Sequence, residues 1–335
     1  MTERAIVTGA AGFVGHALLE ELLKRTDMEI VVLDRLDVSG TLDRVDHVLS
    51  LNPSYKSRVD IVFHDLKAPI NEYTRDKIGK IDYIFHLAAG SHVDRSIDCP
   101  MEFVMDNVVG TANLLDYARL HCPDLDLFYY FSTDEVFGPA PEDVFYKEWD
   151  RYNSGNPYAA TKAGAEELCL AYSNTYKMPM AITHCMNIFG PRQHKEKYIP
   201  LCINRCETGE KIYIHADSKC ENAGSRHYIH TADVCDAVIF LLGEWKAGKL
   251  LRCDKYNIVG SEEIDNLELA KRIGRVLGKE PNYELIDFHS SRPGHDLRYA
   301  LCGEKLGELG WWPQDLTERL RETVLWYQEN PNWLR

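Results

Sequence analysis

Thr8-Gly9-Ala10-Ala11-Gly12-Phe13-Val14-Gly15 decides the fold. It stands between a β-branched apolar run, Arg4–Thr8, and a segment, Gly12–Arg25, in which Phe13, Val14, Ala17, Leu18 and Leu22 recur at helical spacing and form one apolar stripe. Three glycines at the point where a strand hands over to a helix permit a tight turn, close approach of backbone to a pyrophosphate, and close helix packing. The N-terminus of the helix then offers N–H groups and partial positive charge to an anion.

Working outward, strands are predicted at Ile30–Asp34, Val59–Phe63, Tyr83–Leu87, Leu127–Ser132 and Met180–His184, with helical patterns at Met101–His121 and Tyr158–Tyr176. The strands are almost continuously hydrophobic, as in a parallel sheet covered on both faces. Their alternation with helices specifies a doubly wound α/β domain. Asp34, at the end of the second strand, can accept hydrogen bonds from ribose hydroxyls and repels a 2′-phosphate, which favours NAD over NADP; Arg35 beside it works the other way. Asp65 and Leu66 after the third strand, and Ala88 and Ala89 after the fourth, fall on the same crevice, because ligands sit beyond the carboxyl ends of the strands.

Beyond about residue 186 the texture changes to loops with isolated strands, Lys211–His215 and Tyr256–Val259, and helices, Asn266–Leu277 and Leu316–Gln328. The expected organisation is a cofactor domain over residues 1–185 with a return segment at 227–255, and a smaller C-terminal α/β substrate-binding lobe built from 186–226 and 256–335.

With 335 residues, 45% hydrophobic and 27% charged, the chain has the composition of a globular protein with a large core. A net charge of -14 argues against a nucleic-acid partner, which would require clustered Lys and Arg. No apolar run approaches the roughly 20 residues that span a bilayer. Met1-Thr2-Glu3-Arg4 leads straight into a strand with no signal-peptide pattern, so a soluble, cytoplasmic protein away from membranes is expected. The ten cysteines form no C-x-x-C framework and read as reduced thiols. His227 and His230 have a spacing that would suit a metal, but nothing nearby completes a site; they read as strand histidines, and no metal is expected.

Chemistry enters with Tyr158 and Lys162, whose spacing of four puts them on one helix face. A phenol with a pKa of about 10 is a poor base at neutral pH, and a neighbouring ammonium favours its phenolate. Such a pair can take a proton from an alcohol as hydride leaves. Ser132-Thr133-Asp134-Glu135 lies at the carboxyl end of a predicted strand, where Ser132 or Thr133 can orient the reacting oxygen. Adjacent carboxylates on a regular strand face opposite ways, so Asp134 and Glu135 serve one substrate only if the backbone leaves strand geometry there.

Together these residues resemble the extended short-chain dehydrogenase/reductases, and among them the dTDP-glucose 4,6-dehydratases. The likeness extends through Ser91-His92-Val93-Asp94-Arg95-Ser96-Ile97, Asn107-Val108-Val109-Gly110-Thr111, Asn187 before Gly190-Pro191, Ile199-Pro200, and Arg292-Pro293-Gly294-His295-Asp296-x-Arg298-Tyr299. It implies a Rossmann-type sheet, NAD held by Gly9, Gly12, Phe13, Val14, Gly15, Asp34, Asp65, Leu66, Ala88, Ala89, Tyr158 and Lys162, and a nucleotide-diphosphate hexose as substrate. It further implies that Tyr158, with Lys162 and Thr133, deprotonates O4 while C4 gives hydride to NAD, that Glu135 removes the C5 proton, and that Asp134 protonates the departing 6-hydroxyl. Hydride then returns to C6, giving a 4-keto-6-deoxy sugar. Ser91, Asn187, Arg226, Asn257, Arg292, His295 and Tyr299 are implied to hold the nucleotide sugar, and the helices 101–121 and 158–176 to form a homodimer interface.

Two departures stand out: Gly90 where the resembled enzymes carry an acidic residue, and a longer loop over residues 215–225 before Arg226. They leave dTDP-glucose, UDP-glucose and an N-acetylated sugar open. A 4-epimerase or decarboxylase of the same superfamily shares the glycine run and the Tyr-Lys pair but has no need of Asp134 beside Glu135. A non-catalytic NAD-binding regulator would have no need of Tyr158 and Lys162.

Overall fold

The computed structural model describes residues 2–37, 39–287 and 297–334. They form two compact units: residues 1–136, 156–184 and 235–256 in the first, and 137–155, 185–234 and 257–335 in the second.

The first unit is built on a seven-stranded parallel sheet: β1 (Arg4–Thr8), β2 (Glu29–Asp34), β3 (Val59–Phe63), β4 (Tyr83–His86), β5 (Leu127–Thr133), β6 (Met180–Cys185) and β7 (Cys253–Ile258). The spatial order β7-β6-β5-β4-β1-β2-β3 reverses direction at β1, the switch point where doubly wound folds bind ligands. Parallel strands need crossover connections, so helices cover both faces and the inner strands bury nearly all their side chains, while the edge strand β3 stays partly open; Ala5, Ile6, Val7, Val31, Val32 and Phe85 are fully buried. At about 25 cal/mol per Å² of apolar surface, each such Val, Ile or Phe contributes on the order of 1.5–3 kcal/mol.

The helix Phe13–Arg25 follows the glycine run and buries Leu18, Leu19, Leu22 and Leu23; Leu18 and Leu22 belong to the expected stripe, whereas Phe13, Val14 and Ala17 are only half-buried. The expected helix over 101–121 is interrupted. Helical turns at Pro100–Phe103 and Gly110–His121 flank a π-helical turn at Val104–Val109. The reason lies in Asn107, whose buried amide is hydrogen-bonded outside its own helix.

The first unit also departs from an uninterrupted 1–185. After β5 a 3-10 turn, Asp134–Phe137, leads into Gly138 at φ 76, and residues 137–155 cluster with the second unit. A side chain at Gly138 would put its Cβ 2.2 Å from the Asn153 carbonyl oxygen, so this exit from the sheet requires glycine. The returning segment runs from Cys235 to Tyr256 rather than 227–255, and most of the strand expected at 256–259 is the edge strand β7.

The second unit has its own core. Helices Tyr198–Thr208, Asn266–Leu277 and Leu316–Glu329 bury Ile203, Leu269, Ile273, Leu320, Val324 and Tyr327 beside a parallel pair of strands, Ile212–Ala216 and Tyr283–Asp287. Among the described residues no helix is long and apolar enough to cross a membrane.

Candidate functional site

At the glycine run the backbone itself makes the cradle. Gly9 adopts φ +69, and a Cβ there would lie 2.9 Å from Ala88; at Gly15 it would lie 2.1 Å from the Gly9 carbonyl oxygen. Gly12 caps the helix without a side-chain hydrogen bond, so Phe13, Val14 and Gly15 present a helix start to the crevice. Asp34 closes the turn from the β2 side: Oδ2 accepts the Ala11 N–H at 3.0 Å and Oδ1 the Leu36 N–H at 2.8 Å. A carboxylate has about four acceptor sites, which leaves capacity for ribose hydroxyls. These features fit a dinucleotide.

Ala88 and Ala89 follow β4, and the Ala88 and Leu87 N–H groups donate to Thr8 Oγ1 at 3.0 and 3.1 Å. With both lone pairs of that hydroxyl occupied, its proton goes to His86 Nδ1 at 2.8 Å, which leaves His86 Nε2 to donate to Thr111 Oγ1 at 2.9 Å. Burial lowers the His86 pKa to about 3, with the Lys162 charge acting in the same direction. Asp65 sits half-exposed after β3, and buried Leu66 uses its carbonyl to accept Asn113 Nδ2 at 2.7 Å.

The Tyr-Lys pair lies on the helix Pro157–Tyr176, which Asn156 caps by accepting the Ala159 N–H at 2.8 Å. Lys162 is only 4% exposed; Nζ donates to the Phe131 carbonyl at 2.6 Å and stands 4.3 Å from the Tyr130 ring centre. Burial lowers its pKa to about 8 against the opposing pull of Cys169 and Glu166. Tyr158 is buried edge-on to Phe103, and its N–H donates to Ser96 Oγ at 3.1 Å.

Asp134 and Glu135 leave strand geometry, as one shared substrate requires, because the 3-10 turn begins at Asp134. Asp134 is 4% exposed and accepts Thr133 Oγ1 at 3.0 Å; Glu135 is more open and accepts Asn156 Nδ2 at 3.0 Å. One carboxyl is buried against a hydroxyl and the other is held by an amide, so the two stand in different surroundings. Asn156 therefore links the acid-base turn to the start of the helix that carries Tyr158.

Positioning residues were missed in the sequence. Asn107 brackets Gly90, accepting its N–H at 2.7 Å and donating to its carbonyl at 3.1 Å, and also donates to Thr161 Oγ1 at 2.9 Å on the Tyr158 helix. Asn156-Pro157 is a helix-start signal that would have exposed the Asn156 cap. Ser96 and Asn107 carried no signal beyond lying in quoted motifs.

Of the expected substrate residues, Ser91 is exposed beside Gly90 in the first unit. In the second unit Asn187 is exposed, and Arg226 and Tyr299 come together, the guanidinium 4.6 Å from the ring centre while Nη1 donates to the Ser225 and Leu297 carbonyls at 2.6 Å. Asn257 is a correction. It is 0% exposed and its Nδ2 donates to the carbonyls of Tyr146 and Cys302, both at 3.0 Å, so it staples the backbone instead of facing a ligand. Arg292 and His295 lie outside the described residues. His230 is buried edge-on to Phe189, and burial lowers its pKa to about 3. Among the described residues no group of three or more His, Cys, Asp or Glu is placed to hold a metal.

Residues 6–323 match the family model described as GDP-mannose 4,6 dehydratase. The chain belongs to this family. Within it, 35% of residues are identical to the dTDP-glucose 4,6-dehydratase of Neisseria gonorrhoeae over 97% of this chain and 95% of that protein. Identity is 38% to the low-salt glycan biosynthesis protein of Haloferax volcanii, over 92% and 93% of the two chains. The fold superposes on the dTDP-glucose 4,6-dehydratase of Streptomyces venezuelae, solved with NAD bound, with a TM-score of 0.85, 34% identity and 98% coverage of both chains. The chain is thus a short-chain dehydrogenase/reductase of the nucleotide-sugar 4,6-dehydratase group.

Proposed function

We propose that the chain is an NAD-dependent nucleotide-sugar 4,6-dehydratase that converts an NDP-glucose, dTDP-glucose or UDP-glucose, into the NDP-4-keto-6-deoxy sugar and water. The observation that carries this is the 3-10 turn at Asp134 and Glu135: two unequally buried carboxyls, joined through Asn156 to the helix of Tyr158 and Lys162. The relatives named for dTDP-glucose dehydration support the same reading.

NAD, when bound, supplies the hydride sink and source. Tyr158 removes the O4 proton, with the Lys162 ammonium stabilising the phenolate charge and Thr133 orienting the oxygen. The C4 ketone acidifies C5, Glu135 takes the C5 proton, and Asp134 gives its proton to the 6-hydroxyl, which leaves as water; return of hydride to C6 and of a proton to C5 from Glu135 then completes the 4-keto-6-deoxy sugar. Each positioned acid or base contributes roughly 10² to 10⁴ in rate. In the second unit, Arg226 and Tyr299 are the residues read as holding the nucleotide diphosphate, with Asn187, Arg292 and His295. An epimerase or decarboxylase would use the Tyr-Lys pair and leave Asp134 and Glu135 without a task.

A cytoplasmic homodimer completes the reading. Ten free cysteines support a reducing setting, and exposed apolar groups on the helical segment 97–120 (Ile97, Met101, Met105, Leu120) support self-association.

The test is incubation of the protein with dTDP-glucose and UDP-glucose in deuterated water, followed by NMR and mass spectrometry. A 4-keto-6-deoxy product with solvent deuterium at C5 is expected. Epimerised sugar or no turnover would overturn the proposal.

A further inference from the structure

Arg35 follows Asp34 directly, at the end of the strand where an adenosine ribose is read, and a free guanidinium there would grip a 2′-phosphate in bidentate fashion. It is not free. Nη1 and Nη2 donate to the two carboxylate oxygens of Asp106 at 2.5 and 2.8 Å, while Nη2 and Nε donate to Asp37 Oδ2 at 2.7 and 3.2 Å. Asp65 Oδ1 is 3.6 Å from Nη1.

Asp106 is 12% exposed in its side chain and stands on the π-helical turn Val104–Val109. Gly90 lies beside it: a Cβ there would press on the Phe103 ring at 3.1 Å and reach Asp106 Oδ2 at 3.4 Å, an ordinary contact. Lys67 Nζ lies 3.4 Å from Asp65 and 3.8 Å from Asp106. Four carboxylates (Asp34, Asp37, Asp65, Asp106) therefore surround two cations (Arg35, Lys67), a formal charge of -2. Burial pushes Asp37 and Asp65 upward, but Arg35 and backbone N–H groups outweigh it and hold both below the ordinary carboxylate range.

We propose that Asp106 and Asp37 are cofactor-specificity residues, which hold the Arg35 guanidinium out of reach of a ribose 2′-phosphate and so exclude NADP. The proposal rests on the NAD reading above. A 2′-phosphate brings about -1.5 to -2 charge into a rim that is already negative, and Arg35, the guanidinium next to Asp34, is already shared by two carboxylates. Selectivity then belongs to the whole cluster and not to Asp34 alone.

The test is binding of NAD and NADP to protein stripped of nucleotide, measured by calorimetry. Asp37→Asn with Asp106→Asn should tighten NADP by about tenfold or more and leave NAD within about threefold, and adding Arg35→Met should remove the gain. In the otherwise unchanged protein, Arg35→Met should bring no gain in NADP affinity, because it removes a cation from a rim that is already negative. An unchanged NADP affinity in the Asp37/Asp106 variant, a gain that survives Arg35→Met, or tighter NADP binding on Arg35→Met alone would each overturn the proposal. Failure of the unmodified protein to bind NAD would instead sink the reading on which it rests.

Discussion

Asn156 donates from Nδ2 to Glu135 at 3.0 Å while its Oδ1 caps the helix that begins one residue later. One amide thus fixes the direction of a carboxylate and the start of the segment bearing Tyr158. The two roles are separable by mutation. Asn156→Asp keeps an equally good cap, so the melting temperature should hold, but it replaces the donor with a second negative charge. The acid limb of kcat/KM should move to higher pH. Asn156→Ala should lose the cap as well, costing about 1 kcal/mol of stability. An acid limb unmoved in Asn156→Asp would show that Glu135 does not titrate in catalysis.

Glu135→Gln and Asp134→Asn remove the base and the acid of elimination while leaving Tyr158 and Lys162 in place. Each should lower product formation by roughly 10² to 10⁴. Oxidation at C4 should persist and be visible as NADH absorbance with substrate present. Full dehydratase activity in both variants would contradict the assigned roles.

Lys162 serves as an ammonium, and burial brings its pKa to about 8. The charged form is lost as pH rises, so kcat/KM should decline above about pH 8. Lys162→Arg keeps its charge to far higher pH and should carry the alkaline limb upward, at a lower rate because a guanidinium fits a different shape. Profiles of the two proteins measured side by side decide the matter; coincident alkaline limbs would rule Lys162 out as their source.

His86 and His230 are buried with pKa values lowered to about 3. Their unfolded value is about 6.5, so below that pH unfolding takes up protons. The stability they confer is complete above about pH 6.5 and is lost progressively as pH falls toward 3, by up to about 1.4 kcal/mol per pH unit for each ring. Urea titrations at pH 7 and pH 5 should show the drop, and His86→Gln combined with His230→Gln should flatten it. An unaltered slope in that variant would assign the dependence to other groups.

Much of this was legible in the sequence because local rules and tertiary packing agree. The run Thr8–Gly15 carries its own turn chemistry, and the apolar runs Arg4–Thr8 and Val59–Phe63 are short and rich in β-branched residues, so β1 and β3 were placed to the residue. What failed to appear depends on contacts distant in sequence. The π-helical turn at 104–109 follows from Asn107 bonding to Gly90 and Thr161, far apart along the chain. Asn257 was expected to hold the substrate only through the family resemblance, and its burial against the Tyr146 and Cys302 carbonyls shows a staple. Periodicity likewise gave no sign that residues 137–155 leave the first unit, because one glycine and a 3-10 turn perform the exit.

The central claim is that one crevice oxidises C4 and returns the same hydride to C6 after water is lost. The most direct measurement uses NDP-glucose carrying deuterium at C4, with the product's label located by NMR. The account predicts deuterium in the C6 methyl group, transferred within a single turnover. Deuterium remaining at C4, or lost to solvent, would contradict it.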